Sequence, residues 1–296
     1  MAFIDPRVEI ITEPDLYKRI EIAARNCYKS EDKICEGSAE KMVKSLIRRD
    51  HLSPLEHSCI AIEVPYVEGS NILAVMLGYE TETALPSFIR VSNYSSTMIF
   101  SANLRAWRNF LKYVLENAAS PEEITWYFFG REGFEDILPG EPLFGKYYVN
   151  PTGLDMRHNL ITARFITDRA VTHELVRHRC MSFSMTSQRY VNYLEGADFV
   201  RPHWWNDIEY PDAEPSVEAV GHCANMAYRQ MVEKGMKPQD ARVVLPNMTQ
   251  TDIIVSGTEE QWKKYVLPLR MSKAAHPDIR RVMRMFCDEL GWHTEG

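Results

Sequence analysis

Three arginines and one histidine lie close together in a single stretch of this chain. Arg177, His178 and Arg179 are consecutive, and after seven further residues come Ser187, Gln188 and Arg189. A guanidinium group donates two parallel hydrogen bonds to an oxyanion and stays charged at any cellular pH. The whole chain carries a formal net charge of −7, so this local excess of positive charge stands out from its context. The pattern predicts a site for a phosphate-bearing ligand.

Two arginines from later segments are candidates for the same site. Arg242 lies in an apolar stretch that ends at Pro246, and Arg270 follows a helical pattern. A single arginine is more often a solvated surface group than a ligand contact. Arg242 also has Asp240 as an alternative partner two residues away.

Other kinds of site fit these residues less well. His173 and His178 are five residues apart, whereas the helical zinc motif places its histidines four apart on one face, so we expect no metal. Ser187 lacks the flanking glycines of a nucleophile elbow, which disfavours a hydrolase. Because the sequence has no glycine-rich phosphate loop, we expect side chains to bind the phosphate.

The composition is that of an ordinary soluble globular protein. The chain has 296 residues, of which 45% are hydrophobic and 25% charged. It has no apolar run of membrane-spanning length, and its first residues do not resemble a secretory leader, so we expect a cytoplasmic protein that does not bind membranes. A sequence pI of about 5.8 disfavours a general nucleic-acid surface. The six cysteines form no Cys-x-x-Cys pair, which argues against a disulfide scaffold.

Hydrophobic periodicity predicts the elements around the basic stretch. Residues 14–29, 38–49 and 103–116 have helical spacing, whereas Cys59–Val64 and Leu160–Thr167 resemble strands. Residues 98–111 and 253–266 share an apolar run, a serine, a small residue and a tryptophan at matching offsets. This echo is either a coincidence between two strand-to-helix corners or a sign of two related halves.

The ordered motifs resemble the flavin-dependent thymidylate synthases of the ThyX type. The signature is Arg177-His178-Arg179, seven residues, then Ser187, and the resemblance covers about two thirds of the chain. Further matching blocks follow in the family's order: Ala23 to Tyr28, His51 to His57, Ser182 to Ser184, Ser187 to Tyr190, Ala241 to Pro246, Leu269-Arg270 and Ala275 to Pro277.

The resemblance implies a fold and an assembly. We expect one α+β domain over residues 1–296, with helices packed on an antiparallel-rich sheet. Residues 66–158 are expected to form a long central insertion that varies within the family, and its aromatic run at 126–129 needs something to cover it. The family's homotetramers share each active site between several chains, so we expect the same here.

The resemblance also implies a reaction. Family members convert dUMP to dTMP, with methylenetetrahydrofolate as the one-carbon donor and NADPH as the reductant acting through FAD. They attach no enzyme cysteine to the pyrimidine, so Cys180 should be dispensable, and we expect it to be a small buried side chain.

Roles for individual residues follow by resemblance. Arg270 is the main catalytic candidate, because a permanent cation beside the uracil stabilises the charge that appears when N3 loses its proton. His51 is a second catalytic candidate at the mouth of the site. The expected flavin contacts are Ser53, Arg177, His178, Arg179 and His276. The expected dUMP contacts are Glu174, Arg177, Ser187, Gln188, Arg189, Arg242 and Arg270.

This chain departs from the family pattern at three places. Met185 and Thr186 are not acidic, although compact members often have a carboxylate there. Glu174 replaces a neutral amide, and a carboxylate near a phosphate is repulsive unless an arginine lies between them. The third departure concerns the Asn and Arg that contact flavin before the last helix: Thr258 and Glu260 stand there, while the echo segment offers Asn103 and Arg105.

Two other functions are open at this point. The non-acidic Met185 and Thr186 suggest a sibling enzyme that modifies C5 of dUMP differently, for example by hydroxymethylation. A binding module for phosphate or RNA would use the basic stretch without catalysis. The acidity of the whole chain and the distance along the chain to Arg242 and Arg270 argue against that module, so we expect no nucleic-acid partner.

Overall fold

A computed structural model gives the architecture. It describes residues 1–86, 88–121, 124, 148–149, 154–207, 209–210 and 213–292. The aromatic run at 126–129 lies outside the described residues, as does most of the second half of the expected insertion. In the described part, no helix is long and apolar enough to cross a membrane.

The strands are numbered in chain order. They are β1 Phe3–Ile4, β2 Arg7–Ile10, β3 Cys59–Pro65, β4 Arg90–Asn93, β5 Thr97–Asn103, β6 Tyr148–Val149, β7 Leu160–Asp168, β8 Ser182–Met185, β9 Phe199–Val200 and β10 Gln250–Thr258.

The α-helices are numbered in the same way. They are α1 Leu16–Asn26, α2 Ser38–Arg48, α3 Tyr66–Thr83, α4 Leu104–Asn117, α5 Arg169–Leu175, α6 Ala213–Glu233, α7 Pro238–Ala241, α8 Glu259–Gln261, α9 Leu267–Arg270 and α10 Pro277–Glu289. Short 3-10 turns cover Glu31–Lys33, Ser53–His57 and Arg242–Val244, and a π-helical turn covers Trp262–Val266.

Two antiparallel sheets organise the molecule. The first sheet has the strand order β4-β5-β3-β6, and the second has the order β2-β7-β10-β8. Helices α1 to α4 pack on the apolar core of the first sheet, and helices α5 and α10 pack on that of the second. The predicted α+β fold, with helices on antiparallel sheets, is confirmed.

Helix α1 shows why the predicted elements form where they do. The Asp15 side chain accepts hydrogen bonds from the backbone N–H groups of Tyr17 and Lys18, both at 2.9 Å, and so caps the first turn. Ile20 and Ala24 then face the core at helical spacing. The helix ends close to the basic stretch, where it takes part in the site.

The central part of the chain contributes to the core of the first sheet. Helix α3, strands β4 and β5 and helix α4 all fall within residues 66–117, a range that was expected to belong to the insertion. Phe100 and Phe110 from this range are fully buried. These residues therefore build a sheet and its covering helices.

Candidate functional site

The first part of the basic stretch, Arg177 to Arg179, lies between helix α5 and strand β8. Asp168 caps α5 by accepting a hydrogen bond from the Val171 N–H at 2.7 Å. After the helix ends, the His178 N–H donates to the Leu175 carbonyl at 3.1 Å, and the Met181 N–H donates to the His178 carbonyl at 3.0 Å. These two turns place Arg177 and Arg179 on the surface and turn His178 inward.

Arg270 reaches this turn from the far end of the chain. Helix α9 follows directly on the π-helical turn over Trp262–Val266. Arg270 Nε donates to His178 Nε2 at 2.8 Å, and its Nη1 donates to Glu174 Oε2 at 2.7 Å. Its Nη2 donates to the Glu174 carbonyl, also at 2.7 Å. A guanidinium has five N–H groups, so these three bonds leave two for a ligand.

This arrangement explains the carboxylate at position 174. A carboxylate near a phosphate would repel it, but Arg270 lies directly against Glu174 and is only 16% exposed. The ion pair therefore neutralises Glu174 and holds the arginine side chain in one position.

The protonation state of His178 follows from the same contacts. Burial lowers the pKa of His178, and the adjacent positive charge of Arg270 lowers it further. Since Nε2 accepts the hydrogen bond from Arg270, a neutral His178 carries its proton on Nδ1. The imidazole is then a hydrogen-bond donor from Nδ1.

The second half of the signature is attached to the end of helix α1. Asn26 is fully buried, and its amide donates to the carbonyls of Ser184 at 2.9 Å and Asp252 at 3.1 Å. Thr186 donates its hydroxyl proton to the Asn26 carbonyl at 3.0 Å, and the Ser187 N–H donates to the Cys27 carbonyl at 2.9 Å. Thr186 is therefore buried and engaged, so it does not replace the missing carboxylate.

Ser187, Gln188 and Arg189 form a turn with one buried side chain. Ser187 Oγ accepts from the Arg189 N–H at 3.3 Å, and the guanidinium of Arg189 is exposed. Gln188 is only 7% exposed, and within the described part of the chain its Nε2 has no hydrogen-bond partner. An unsatisfied buried donor is costly, so Gln188 is ready to donate to a ligand.

Arg169 and Tyr193 form a further candidate group that no motif marks, and Arg169 lies near Arg242. Burial lowers the pKa of Arg169, the nearby Tyr193 opposes this shift, and the positive charge of Arg242 adds to it. Burial raises the pKa of Tyr193 to about 12. Among the residues described, Arg169 Nη1 and the Tyr193 hydroxyl are buried without hydrogen-bond partners. Two neighbouring guanidiniums with an unpaired hydroxyl indicate a site for an anion, and no motif in the sequence marks them.

Arg242 itself opens the 3-10 turn after helix α7 and is exposed. Its alternative partner Asp240 lies in α7, and no ion pair between them is found in the described residues. Arg242 is therefore available to the neighbouring Arg169 and Tyr193 group.

A cavity of about 410 Å³ lies on the other side of the basic stretch, between the two sheets. We call it the inter-sheet pocket. Its first-sheet lining includes Arg90, Asn103 and Arg105, and its second-sheet lining includes Arg179 and Ser182. Arg179 and Cys180 also border a shallower cavity of about 470 Å³ with Arg177 and His178. The basic stretch thus separates two adjoining cavities.

Three predicted site residues lie in other parts of the structure. His51 lines a separate cavity with Arg25 and Arg49, and Ser53 is exposed at the start of the following 3-10 turn. His276 caps helix α10, where its Nδ1 accepts from the Asp278 N–H at 3.3 Å. The cavity that His51 lines contains none of Arg177, His178 and Arg179.

The expectation of a buried Cys180 is wrong. The side chain is exposed, because it follows the turn at His178 and borders both cavities. The pKa of its thiol is raised, mainly because the sulfur is partly desolvated although the residue as a whole is exposed. A raised pKa disfavours the thiolate and so disfavours a nucleophilic role.

The family follows from a comparison with protein-family models. The model described as thymidylate synthase complementing protein matches residues 9–70 and 155–291, which is more than half of the chain. This chain belongs to that family. The matched segments contain Glu174, His178 and Arg270, whereas residues 71–154 are unmatched.

Curated relatives have matching names. The probable flavin-dependent thymidylate synthase of Mycobacterium phage D29 is 33% identical over 138 residues, which is 43% of this chain and 58% of the relative. The flavin-dependent thymidylate synthase of Mycobacterium sp. (strain KMS) is 33% identical over 158 residues, or 46% of this chain and 61% of the relative. The chain thus spans less than two thirds of the length of these relatives.

A solved structure also shows a weak overall likeness. The UMP/dUMP methylase PolB from Streptomyces cacaoi, bound with 5-Br UMP, is aligned over 98% of this chain and 89% of its own. The sequence identity is 14% and the TM-score is 0.43.

Proposed function

We propose that this protein is a flavin-dependent thymidylate synthase that converts dUMP to dTMP. The observation that carries the proposal is the contact of Arg270 with both Glu174 and His178 of the signature. It gives the family signature a fixed, partly buried cation from a distant segment. The family match and the names of the relatives support the same reaction.

The dUMP phosphate is assigned to the Ser187–Arg189 turn. Arg189 offers an exposed guanidinium, and Gln188 offers an amide that lacks a partner in the described structure. Arg242 and Arg177 are the further arginines that we expect to contact the nucleotide. A dianionic phosphate would satisfy these donors together, since charged groups form the strongest hydrogen bonds to it.

Arg270 is proposed to act on the uracil ring. Its two remaining N–H groups would stabilise the negative charge that develops when N3 loses its proton. That charge makes C5 a better nucleophile towards the one-carbon unit of methylenetetrahydrofolate. Glu174 and His178 keep the guanidinium in position, so no reorganisation is needed during the reaction.

FAD is proposed to bind beside Arg177, His178 and Arg179. The residues fit such a group, because the two adjoining cavities combine guanidinium groups with apolar side chains such as Phe88, Met181 and Tyr265. When bound, the flavin supplies the reducing equivalents that NADPH provides. The contributions of Ser53 and His276 are proposed to come from neighbouring chains, as is that of His51, in the manner of the family's shared active sites.

A homotetramer would provide those neighbouring chains. Large apolar side chains are exposed next to the site, among them Tyr190 at 59%, Val243 at 76% and Leu269 at 62%. Exposed apolar surface of this kind marks an interaction surface. Light scattering should give four times the chain mass. A mass of twice the chain mass, which is that of a dimer, would contradict the tetramer. A fully active monomer would exclude shared sites.

One incubation tests the reaction. The purified protein is mixed with FAD, dUMP, methylenetetrahydrofolate and NADPH, and the nucleotide product is identified by mass spectrometry. We expect dTMP. A hydroxymethylated product would replace the proposed reaction with the sibling one, and an unchanged nucleotide despite bound FAD would refute both.

A further inference from the structure

The two sheets have the same topology. In the first sheet β5 lies between β3 and β4, and in the second β10 lies between β7 and β8. The registers also match: Cys59 pairs with Asn103 where β3 meets β5, and Leu160 pairs with Thr258 where β7 meets β10. The fourth strand flanks β3 in one sheet and β7 in the other. Each strand of the first sheet therefore has a counterpart in the second sheet.

Two histidines connect the sheets in a reciprocal way. His57, just before β3, contacts Ser256 through Nδ1 at 2.8 Å and Ser184 through Nε2 at 3.0 Å, both in the second sheet. His158, just before β7, makes the equivalent contacts in the first sheet, with Ser101 through Nδ1 and Ser92 through Nε2. Reciprocal contacts between equivalent residues are the mark of a two-fold relationship.

The two strand-to-helix corners repeat further contacts. Trp107 Nε1 donates to the Ile60 carbonyl at 3.1 Å, and Trp262 Nε1 donates to the Ile161 carbonyl at 3.3 Å. The first helical N–H of each corner donates to the residue before the partner strand: Leu104 to Ser58 at 3.0 Å, and Glu259 to Asn159 at 2.9 Å. Agreement in so many contacts excludes coincidence as the source of the sequence echo.

The inter-sheet pocket lies between the two related halves. Its walls contain equivalent residues from both halves, for example Cys59 with Leu160, and Arg90 with Ser182. A symmetric pair would present the same side chains twice. In this chain the two sides differ, because Arg105 lines the pocket whereas its counterpart is Glu260, and Asn103 has Thr258 as its counterpart.

The charges around the pocket favour an anionic ligand. Arg90, Arg105 and Arg179 line the cavity, and Glu56 is the acidic residue that lines it with them. Arg105 pairs with Glu56 at 2.6 Å, while Arg90 contacts the neutral amide of Gln261 at 3.2 Å. In the described residues no ion pair joins Arg90 or Arg179 to a carboxylate, although the nearby negative charge of Glu260 acts on Arg90.

We infer that residues 57–117 and 158–266 are two diverged copies of one structural unit, and that the pocket between them binds one flavin cofactor per chain. Asn103 and Arg105 of the first copy and Arg179 of the second would hold its anionic part. The identity of the ligand rests on the proposed function, whereas the asymmetry of the pocket does not. The second copy contributes the basic stretch, and the first copy contributes the polar groups that the second has lost.

The repeat supplies matched controls for the test. Arg105→Gln removes a pocket cation, and Glu260→Gln makes a change of similar size at the equivalent position outside the pocket lining. Asn103→Ala and Thr258→Ala remove equivalent helix caps, since Asn103 accepts from the Ala106 N–H at 2.8 Å and Thr258 accepts from the Gln261 N–H at 3.3 Å. A general loss of stability would therefore affect both members of a pair.

FAD binding is measured by titration, with flavin absorbance and fluorescence as readouts. We expect one FAD per chain in the wild type, and a dissociation constant raised about 10- to 100-fold by Arg105→Gln and by Asn103→Ala. Glu260→Gln and Thr258→Ala should stay within about 2-fold of the wild type, because neither side chain lines the pocket.

The outcomes test the flavin site between the two copies separately from the proposed function. If the wild type binds FAD but Arg105→Gln and Asn103→Ala bind it equally well, the inference is refuted and the proposed function stands. Two FAD molecules per chain, or equal losses in both members of each pair, would also refute it. If the wild type binds no FAD, the proposed function falls together with the assignment of the ligand.

Discussion

Arg270 and Glu174 are 96 residues apart in the chain, yet they are joined by two hydrogen bonds of 2.7 Å. One goes to the carboxylate and the other to the backbone carbonyl. The second bond does not depend on the type of side chain at position 174, so it fixes Arg270 against the end of helix α5 itself. The pair therefore works as a positioned cation rather than as a surface ion pair.

Arg270→Ala should lower kcat/KM for dUMP by about 100- to 1000-fold, since removing one preorganised charge donor from an active site has effects of this size. Arg270→Lys should recover only a part, because an ammonium cannot make the forked contacts to Glu174 and His178. Steady-state kinetics measure both variants, and circular dichroism checks their fold. Wild-type kinetics in Arg270→Ala would remove this residue from the mechanism.

Glu174→Gln should be tolerated. The amide keeps its carbonyl oxygen as an acceptor for Arg270 and removes a negative charge from the nucleotide pocket. We expect kcat/KM within about tenfold of the wild type, and a larger loss for Glu174→Ala, which removes the side-chain acceptor. Equal activity of the two variants would contradict a positioning role for the side chain at position 174.

Tyr193→Phe should separate binding from stability. The Tyr193 hydroxyl is buried without a partner in the described residues, so its removal should leave the free energy of unfolding unchanged or raise it by about 0–1 kcal/mol. If the hydroxyl donates to the bound nucleotide, the KM for dUMP should rise about tenfold. Thermal melts test the effect on stability, and kinetics test the effect on the KM for dUMP. A destabilised variant with an unchanged KM would show a purely structural role.

Cys180→Ser should keep activity within about twofold, although the thiol borders both cavities. Its pKa is raised, so little nucleophilic thiolate is present near neutral pH. The assay is turnover with dUMP, together with mass spectrometry of the protein during the reaction. A covalent nucleotide adduct at Cys180 would overturn the expectation.

Stability should fall at acidic pH because His57 is buried and neutral. Burial lowers its pKa from 6.5 to about 3. The unfolded chain binds a proton at this residue below pH 6.5, while the folded chain does not. The stabilisation is therefore complete above that pH and is lost as the pH falls towards 3.

The slope of unfolding free energy against pH measures this effect. Between pH 4 and 6, His57→Gln should reduce the slope by about 1.4 kcal/mol per pH unit, the value for one proton. The exposed His222 serves as the control position, and His222→Gln should leave the slope nearly unchanged. Equal slopes for the wild type and His57→Gln would contradict the buried, neutral state of His57.

The sequence by itself determined the local elements and the signature. Helix α1 and strand β7 follow from periodicity, because apolar residues at helical or alternating spacing must face a core. The ordered motifs around Arg177 and Ser187 identified the family, since residue types and spacing are visible without a fold. The echo between 98–111 and 253–266 was also visible, but its meaning was open.

Only the tertiary structure decided how distant residues meet. The contact of Arg270 with Glu174 depends on the packing of segments that lie far apart in the chain. The same holds for Arg169 Nη1 and the Tyr193 hydroxyl, which are buried without partners among the described residues. The reciprocal contacts of His57 and His158 resolved the echo, because a pseudo-two-fold relationship is a property of two sheets in space. A sequence pattern records which side of an element is apolar, but the partner of a polar group is fixed only when the elements pack.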